Sequence, residues 1–191
     1  MVSKQRNRKK KKNKPNIILW LRPCGLRLAK AMTKLIDHEG SVTILLFKGK
    51  GWISRLIRWQ TRSIYSHAAI LVGDDTIIEA WQGTGVRKKK ITRWDDIDAF
   101  RIYCSDRQKK DVIEFLHKQL GKKYDYRSVF RFLTKIPAGI NDKWFCSELA
   151  FDALLTGRMQ VLNNIEPEEV SPAHLRLPVE FTQIDLLASP C

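Results

Sequence analysis

The chain has 191 residues, 43% of them hydrophobic and 9% aromatic, which suits one globular domain with a sizeable core plus an appendage. Thirty-five Lys and Arg against twenty Asp and Glu give a net charge of +15, so surfaces it meets through charge are anionic ones. Cys24, Cys104, Cys146 and Cys191 show no CxxC or metal-ligand spacing, and His38, His67, His117 and His174 are scattered singly. That pattern argues against a disulfide scaffold and against a zinc site, and leaves free thiols in a reducing compartment as the expectation.

Residues 1–15 hold eight Lys and Arg and no acid, so they carry +8 and the remainder +7. Such a run repels itself and buries no apolar surface, which predicts a disordered basic arm. It has no aromatic to stack bases, so solubility or loose attraction to polyanions is expected and specific nucleic-acid recognition is not. The apolar run Ile17–Leu21 stops at Arg22-Pro23, too short for a signal peptide, and no run reaches transmembrane length. A protein cytoplasmic as synthesised is therefore expected. Residues 16–39 form a basic extension whose stretch 25–37 has helical spacing. Leu28, Met32 and Leu35 line one stripe, and Arg27, Lys30 and Lys34 another. Such a helix packs on its own domain or lies on an anionic membrane, contacting it through residues 1–36.

The catalytic-sized unit spans 40–191. Val42–Phe47 predicts a buried strand, and Trp52–Thr61 a helix with Trp52, Leu56 and Trp59 on one side and Arg55, Arg58 and Arg62 on the other. Ala68–Val72 and Thr76–Ala80 predict two strands joined at Gly73-Asp74-Asp75. Gly83 and Gly85 break the chain before Val86, and Ala99–Cys104 predicts another strand. Asp106 is placed as the cap of a helix to Leu120, with Val112, Ile113, Leu116 and Leu120 inward. Tyr124–Leu133 predicts a second helix, with a Pro137/Gly139 loop after it. Cys146 opens a helix ending at Gly157, Ser171–Leu175 is a short helical turn, and Phe181–Leu186 a closing strand. Strands gather early and helices late, which favours an α+β fold.

Three residues stand out chemically. Cys146 follows two aromatics at a helix start, where unsatisfied N–H groups favour a thiolate. His67 opens a strand, and Glu79 lies an even number of residues later across a hairpin, which keeps the two on one sheet face. Glu79 can then hold one ring nitrogen and leave the other for sulfur, the arrangement of a thiol nucleophile with an oriented base. The backbone N–H groups of Cys146 and Ser147 are natural oxyanion donors. Singly, each residue has a plainer reading: a core Cys, a structural His, a Glu paired with an Arg.

The stretch from Gly40 to about Glu180 resembles the circularly permuted papain-like proteins of the NlpC superfamily, in their YiiX-like branch. The strand Val42–Phe47, Arg62-Ser63-Ile64-Tyr65-Ser66-His67, Gly73, Ile78-Glu79-Ala80, Tyr124-Asp125-Tyr126, Phe145-Cys146-Ser147-Glu148-Leu149 and Ser171-Pro172-Ala173 carry the likeness. His precedes Cys, as in the permuted branch, and the lecithin retinol acyltransferase branch has a second histidine where Glu79 stands. The resemblance implies an antiparallel sheet or half-barrel packed against helices, with the nucleophile at a helix start. It implies Cys146 as nucleophile, His67 as base and Glu79 as third member, with Tyr65 and Ser147 as weaker substrate-binding candidates. No cofactor or metal is implied. The activity implied is cysteine-dependent hydrolysis of amide bonds, with peptidoglycan peptides one substrate class. A lipid-directed acyl hydrolase or acyltransferase at a membrane, and a non-catalytic papain-fold binding module using its basic arm, are the alternatives.

Overall fold

The computed structural model of the protein describes residues 40–126, 142–159, 161–162, 165–176 and 182–184. The basic arm, the expected helix at 25–37, Cys24, Cys191, the Pro137/Gly139 loop and most of the expected helix at 124–133 lie outside these residues. Within them, the apolar runs of the first half become β1 (Ser41–Phe47), β2 (His67–Gly73), β3 (Thr76–Trp81), β4 (Gly85–Lys90) and β5 (Ile97–Tyr103). A short late strand, β8 (Thr182–Ile184), completes a six-stranded sheet in the order β4-β3-β2-β1-β5-β8, antiparallel throughout. Lys123–Tyr124 (β6) and Lys143–Trp144 (β7) pair in parallel as a separate two-stranded piece. The fold is α+β.

Side chains alternate across a strand, so β1 and its partners feed two apolar faces. Ile44, Leu46, Ala68, Ile70, Ile78 and Phe100 join the larger core, and Leu45, Ala69, Leu71, Ile77 and Ala99 join a smaller one on the other face. The helix α3 (Cys146–Thr156) is apolar almost all round and packs in the larger core, burying Leu149, Ala150, Phe151, Ala153 and Leu154. Each such large side chain stabilises the fold by about 1.5–3 kcal/mol relative to exposure. α2 (Asp106–Gln119) is amphipathic and buries Val112 and Leu116, one turn apart.

Several local expectations are corrected. The cap of α2 is Ser105, whose Oγ accepts from Gln108 N at 3.3 Å while Gln108 Oε1 accepts from Ser105 N at 3.1 Å. Asp106 sits instead in the first turn, where its charge suits the helix dipole. Leu120 lies past the helix end and is exposed, Ile113 is half-buried, and Gln119 turns inward to accept from Trp144 Nε1. In α1 (Trp52–Thr61) the buried residue is Ile57, with Ile53 and Leu56 partly buried, and both tryptophans point outward.

β4 itself, hidden behind two glycines, is a strand the sequence pattern did not suggest. Gly85 has φ +81°, and a Cβ there would lie 2.1 Å from the backbone oxygen of Lys122. The close approach lets Val86 N donate to Lys122 O at 2.8 Å, tying β4 to the chain before β6. Gly85→Ala must strain the backbone and push this segment away, at a cost of roughly 1–3 kcal/mol that a thermal melt reads.

Candidate active site

β2 begins at His67 and β3 carries Glu79. The β2–β3 register pairs Ile70 with Ile78 and Leu71 with Ile77; continued, it sets Glu79 opposite Ala69, diagonal to His67 on the same face. The diagonal suits a long carboxylate: Glu79 Oε2 lies 2.8 Å from His67 Nε2. The other carboxylate oxygen, Oε1, accepts from Arg87 Nε at 2.9 Å and Nη2 at 2.7 Å, because β4 places Arg87 directly across from Glu79. Glu79 is only 2% exposed and His67 12% by side chain, so this row is nearly out of water.

The imidazole is wedged between rings. Phe47 lies 5.2 Å from it on one side and Trp81 5.2 Å away edge-on, with the Arg87 guanidinium 4.8 Å from the Trp81 ring. Aromatic contacts and the Glu79 bond together leave the ring little freedom. With Nε2 committed to Glu79, Nδ1 is the nitrogen left for sulfur. Cys146, the first residue of α3, both hydrogen-bonds His67 and interacts with it through charge. The thiol is free and buried, 1% exposed. Phe145 N donates to Glu148 Oε2 at 3.0 Å, which fixes the first turn of α3 beneath the sulfur.

These contacts set the titration of the site. Burial pushes His67 down, but charge and hydrogen bonding from Cys146, followed by those from Glu79, raise it to about 9. Since that lies above the ordinary value of 6.5, protonation of His67 stabilises the fold fully below about pH 6.5 and ceases to as pH rises through about 9. Burial opposes ionisation of Glu79, yet His67 and Arg87 together hold it below the usual carboxylate value. Because Cys146 is the leading cause that raises His67, Cys146→Ala is expected to bring its pKa down from about 9, read by NMR titration of the ring protons. An unchanged value would mean that the sulfur does not interact with the ring.

The structure therefore brings Cys146, His67 and Glu79 together and adds Arg87, which the sequence reading missed. The sequence carries little signal for it, because the Gly-Val-Arg-Lys-Lys-Lys run becomes a strand only by pairing with β3. Two weaker candidates are corrected. Tyr65 does not line a cleft: it is 2% exposed, packs edge-on against Phe100, and donates its hydroxyl to Asp98 Oδ2 at 2.5 Å, beside Lys48 on Asp98 Oδ1. The side chain of Ser147 is fully buried, and its hydroxyl donates to the Val170 carbonyl, so only its backbone N–H remains for a substrate. Near the sulfur stands Tyr124, whose buried phenol is held protonated; Tyr126 packs on its ring and accepts from Gly83 N at 2.6 Å.

No protein-family model and no curated protein matches the sequence. A solved structure does match, that of the metalloprotein YiiX from Escherichia coli O157:H7 (DUF1105), with a TM-score of 0.59 over 78% of this chain and 98% of that one, at 19% identity. The fold is YiiX-like. That YiiX protein is described as a metalloprotein. Among the described residues no three His, Cys, Asp or Glu side chains gather as ligands, and both oxygens of Glu79 are already committed to His67 and Arg87. Among those residues, too, no helix is long and apolar enough to cross a membrane.

Proposed function

We propose that this chain is a cysteine-dependent hydrolase acting on amide bonds through a covalent acyl-enzyme, built on the permuted papain-like plan of the NlpC superfamily. The observation that carries the reading is the line of contacts from Cys146 at a helix start, through His67, to Glu79 at 2.8 Å. Cys146 Sγ attacks the carbonyl carbon of the substrate amide, and His67 Nδ1 carries the thiol's proton. Negative charge on the carbonyl oxygen meets the backbone N–H groups of Cys146 and Ser147, which have no partner within the first helical turn. As the C–N bond breaks, His67 passes its proton to the departing amine and leaves a thioester on Cys146. Water, deprotonated by His67, then releases the carboxylic acid and restores the thiol.

Glu79 works through the ring. Accepting from Nε2–H, it selects the tautomer with a free Nδ1 and stabilises the imidazolium, while Arg87 holds the carboxylate in place. The substrate class is a peptide or related amide, with peptidoglycan peptides the first to try. The test compares the wild-type chain with Cys146→Ala on wall peptides, thioesters and phospholipids, with intact-mass detection of an acyl adduct. Turnover and an adduct on Cys146 are expected in the wild type alone. Equal behaviour of the two proteins would instead indicate a binding module.

A further inference from the structure

Trp52 and Trp59 are 76% and 72% exposed, the largest apolar surfaces the described residues present to water. They belong to α1, whose other side buries Ile57 and packs Ile53 and Leu56 on the core. Trp52, Arg55, Trp59 and Arg62 follow one another at spacings of three and four and are all exposed, so they share one outward line. At 1.5 Å per residue the two indoles stand about 10 Å apart along the axis, with Arg55 between them. Beyond Arg62, which turns the chain through φ +48°, Ile64 adds a further 47% exposed apolar side chain. Scattered exposed apolar residues are ordinary, but a ridge alternating indoles with guanidinium groups is an organised surface. Among the described residues neither Arg55 nor Arg62 pairs with an acid.

We infer that this face of α1 is a docking surface for an anionic lipid bilayer, on which the helix lies flat. The indoles sit at the headgroup level with their rings toward the acyl boundary, and Arg55 and Arg62 reach lipid phosphates. Charge decides among occupants. The segment 1–39 of this chain holds twelve Lys and Arg against two acids, and a second copy carries +15, so both are repelled by the arginines. A single-stranded nucleic acid is anionic, but it is tracked in a basic groove, whereas this is a convex ridge on one short helix. The inference stands whatever bond Cys146 attacks, since none of these residues belongs to the catalytic row.

The test uses the full chain, Trp52→Ala/Trp59→Ala and Trp52→Phe/Trp59→Phe, with unchanged melting temperatures as the check on folding. Vesicles of about three parts phosphatidylcholine to one of phosphatidylglycerol are compared with pure phosphatidylcholine by co-sedimentation. Wild type is expected to prefer the anionic vesicles, and the alanine pair to bind them about tenfold more weakly at moderate salt. Brominated lipid is expected to quench wild-type tryptophan fluorescence, and to lose most of that effect in the phenylalanine pair even when the protein is vesicle-bound. Equal binding by the alanine pair, with quenching retained in the phenylalanine pair, would assign the contact to another part of the chain and overturn the inference. So would quenching by an oligonucleotide that requires both indoles while lipid has no effect.

Discussion

Glu79→Ala is expected to lower the unfolding free energy by roughly 3–5 kcal/mol, because it removes the one acid between two cations in a nearly dry row. The carboxylate takes two N–H groups of Arg87 on one oxygen and His67 on the other, and is 2% exposed. Arg87 keeps 29% exposure and can reach water, which places the loss toward the lower end of that range. Burial works against ionisation of Glu79 and its two cations for it, and the cations prevail, so the folded value lies below the usual 4.5. The stabilisation is therefore present above about pH 4.5 and lost as pH falls through the lower folded value. Denaturant titrations of wild type and variant should converge in acid; a gap that stays constant would mean that packing, not charge, holds the row together.

Glu79→Gln separates stability from reactivity. The amide oxygen can still accept from Arg87, but the amide nitrogen then faces His67 Nε2 and offers a donor where an acceptor stood. The ring responds by carrying its proton on Nδ1, and Nδ1 can no longer take the thiol's proton. The glutamine variant should thus lose less stability than Glu79→Ala, since its amide oxygen still accepts from Arg87, while its Cys146-dependent turnover falls by about 10²- to 10⁴-fold. Parallel losses in the two properties would reduce Glu79 to a structural role.

Iodoacetamide at mildly acidic pH is expected to modify Cys146 ahead of Cys24, Cys104 and Cys191. The pair with His67 makes its sulfur the nucleophilic one, whereas burial pushes the Cys104 thiol up and keeps it protonated. Mass mapping of the alkylated peptides reads the order, and first attack at any other cysteine counts against the proposed nucleophile. His67→Ala should remove the preference. Turnover carries its own signature: His67 must be protonated to deliver a proton to the leaving amine, and it holds that proton to about pH 9. The rate should therefore fall on the alkaline side with an apparent pKa near 9, and an activity still climbing past that point would exclude His67 as the acid.

The Cys146–His67–Glu79 row was legible in sequence only in part. The two-residue turn pairs Gly73 with Thr76, and only the extra residue between Leu71 and Gly73 brings the evenly spaced His67 and Glu79 to one face, whereas a cysteine at the head of an apolar helical run is placed by that run. Arg87 escaped because a strand spelled Gly-Val-Arg-Lys-Lys-Lys lacks the apolar alternation that marks strands, and only pairing with β3 makes it one. Tyr65 illustrates the opposite limit. Its neighbourhood to His67 in the chain suggested the cleft, but Tyr65 lies before β2 begins, its ring packs on Phe100 in the core, and Asp98 from β5 claims its hydroxyl. The tryptophans of α1 were legible as a stripe but not as an outward one, since the wheel cannot say which side meets the core. There Ile57 won the interior; of the arginines assigned to the opposite side, Arg55 stands between the indoles, Arg62 follows Trp59 at the helix end, and Arg58 donates to the Gly49 carbonyl.

β4 ends the sheet at Lys88, Lys89 and Lys90, all exposed, with no further strand beside it among the described residues. An outer strand offers unpaired backbone groups to any extended chain that arrives, including another molecule of the same protein. Three adjacent ammonium groups make that approach costly for a copy bearing the same charges, and cheap for an extended segment rich in carboxylates. The strand that positions Arg87 on Glu79 thus also carries the charge that discourages edge-to-edge self-association.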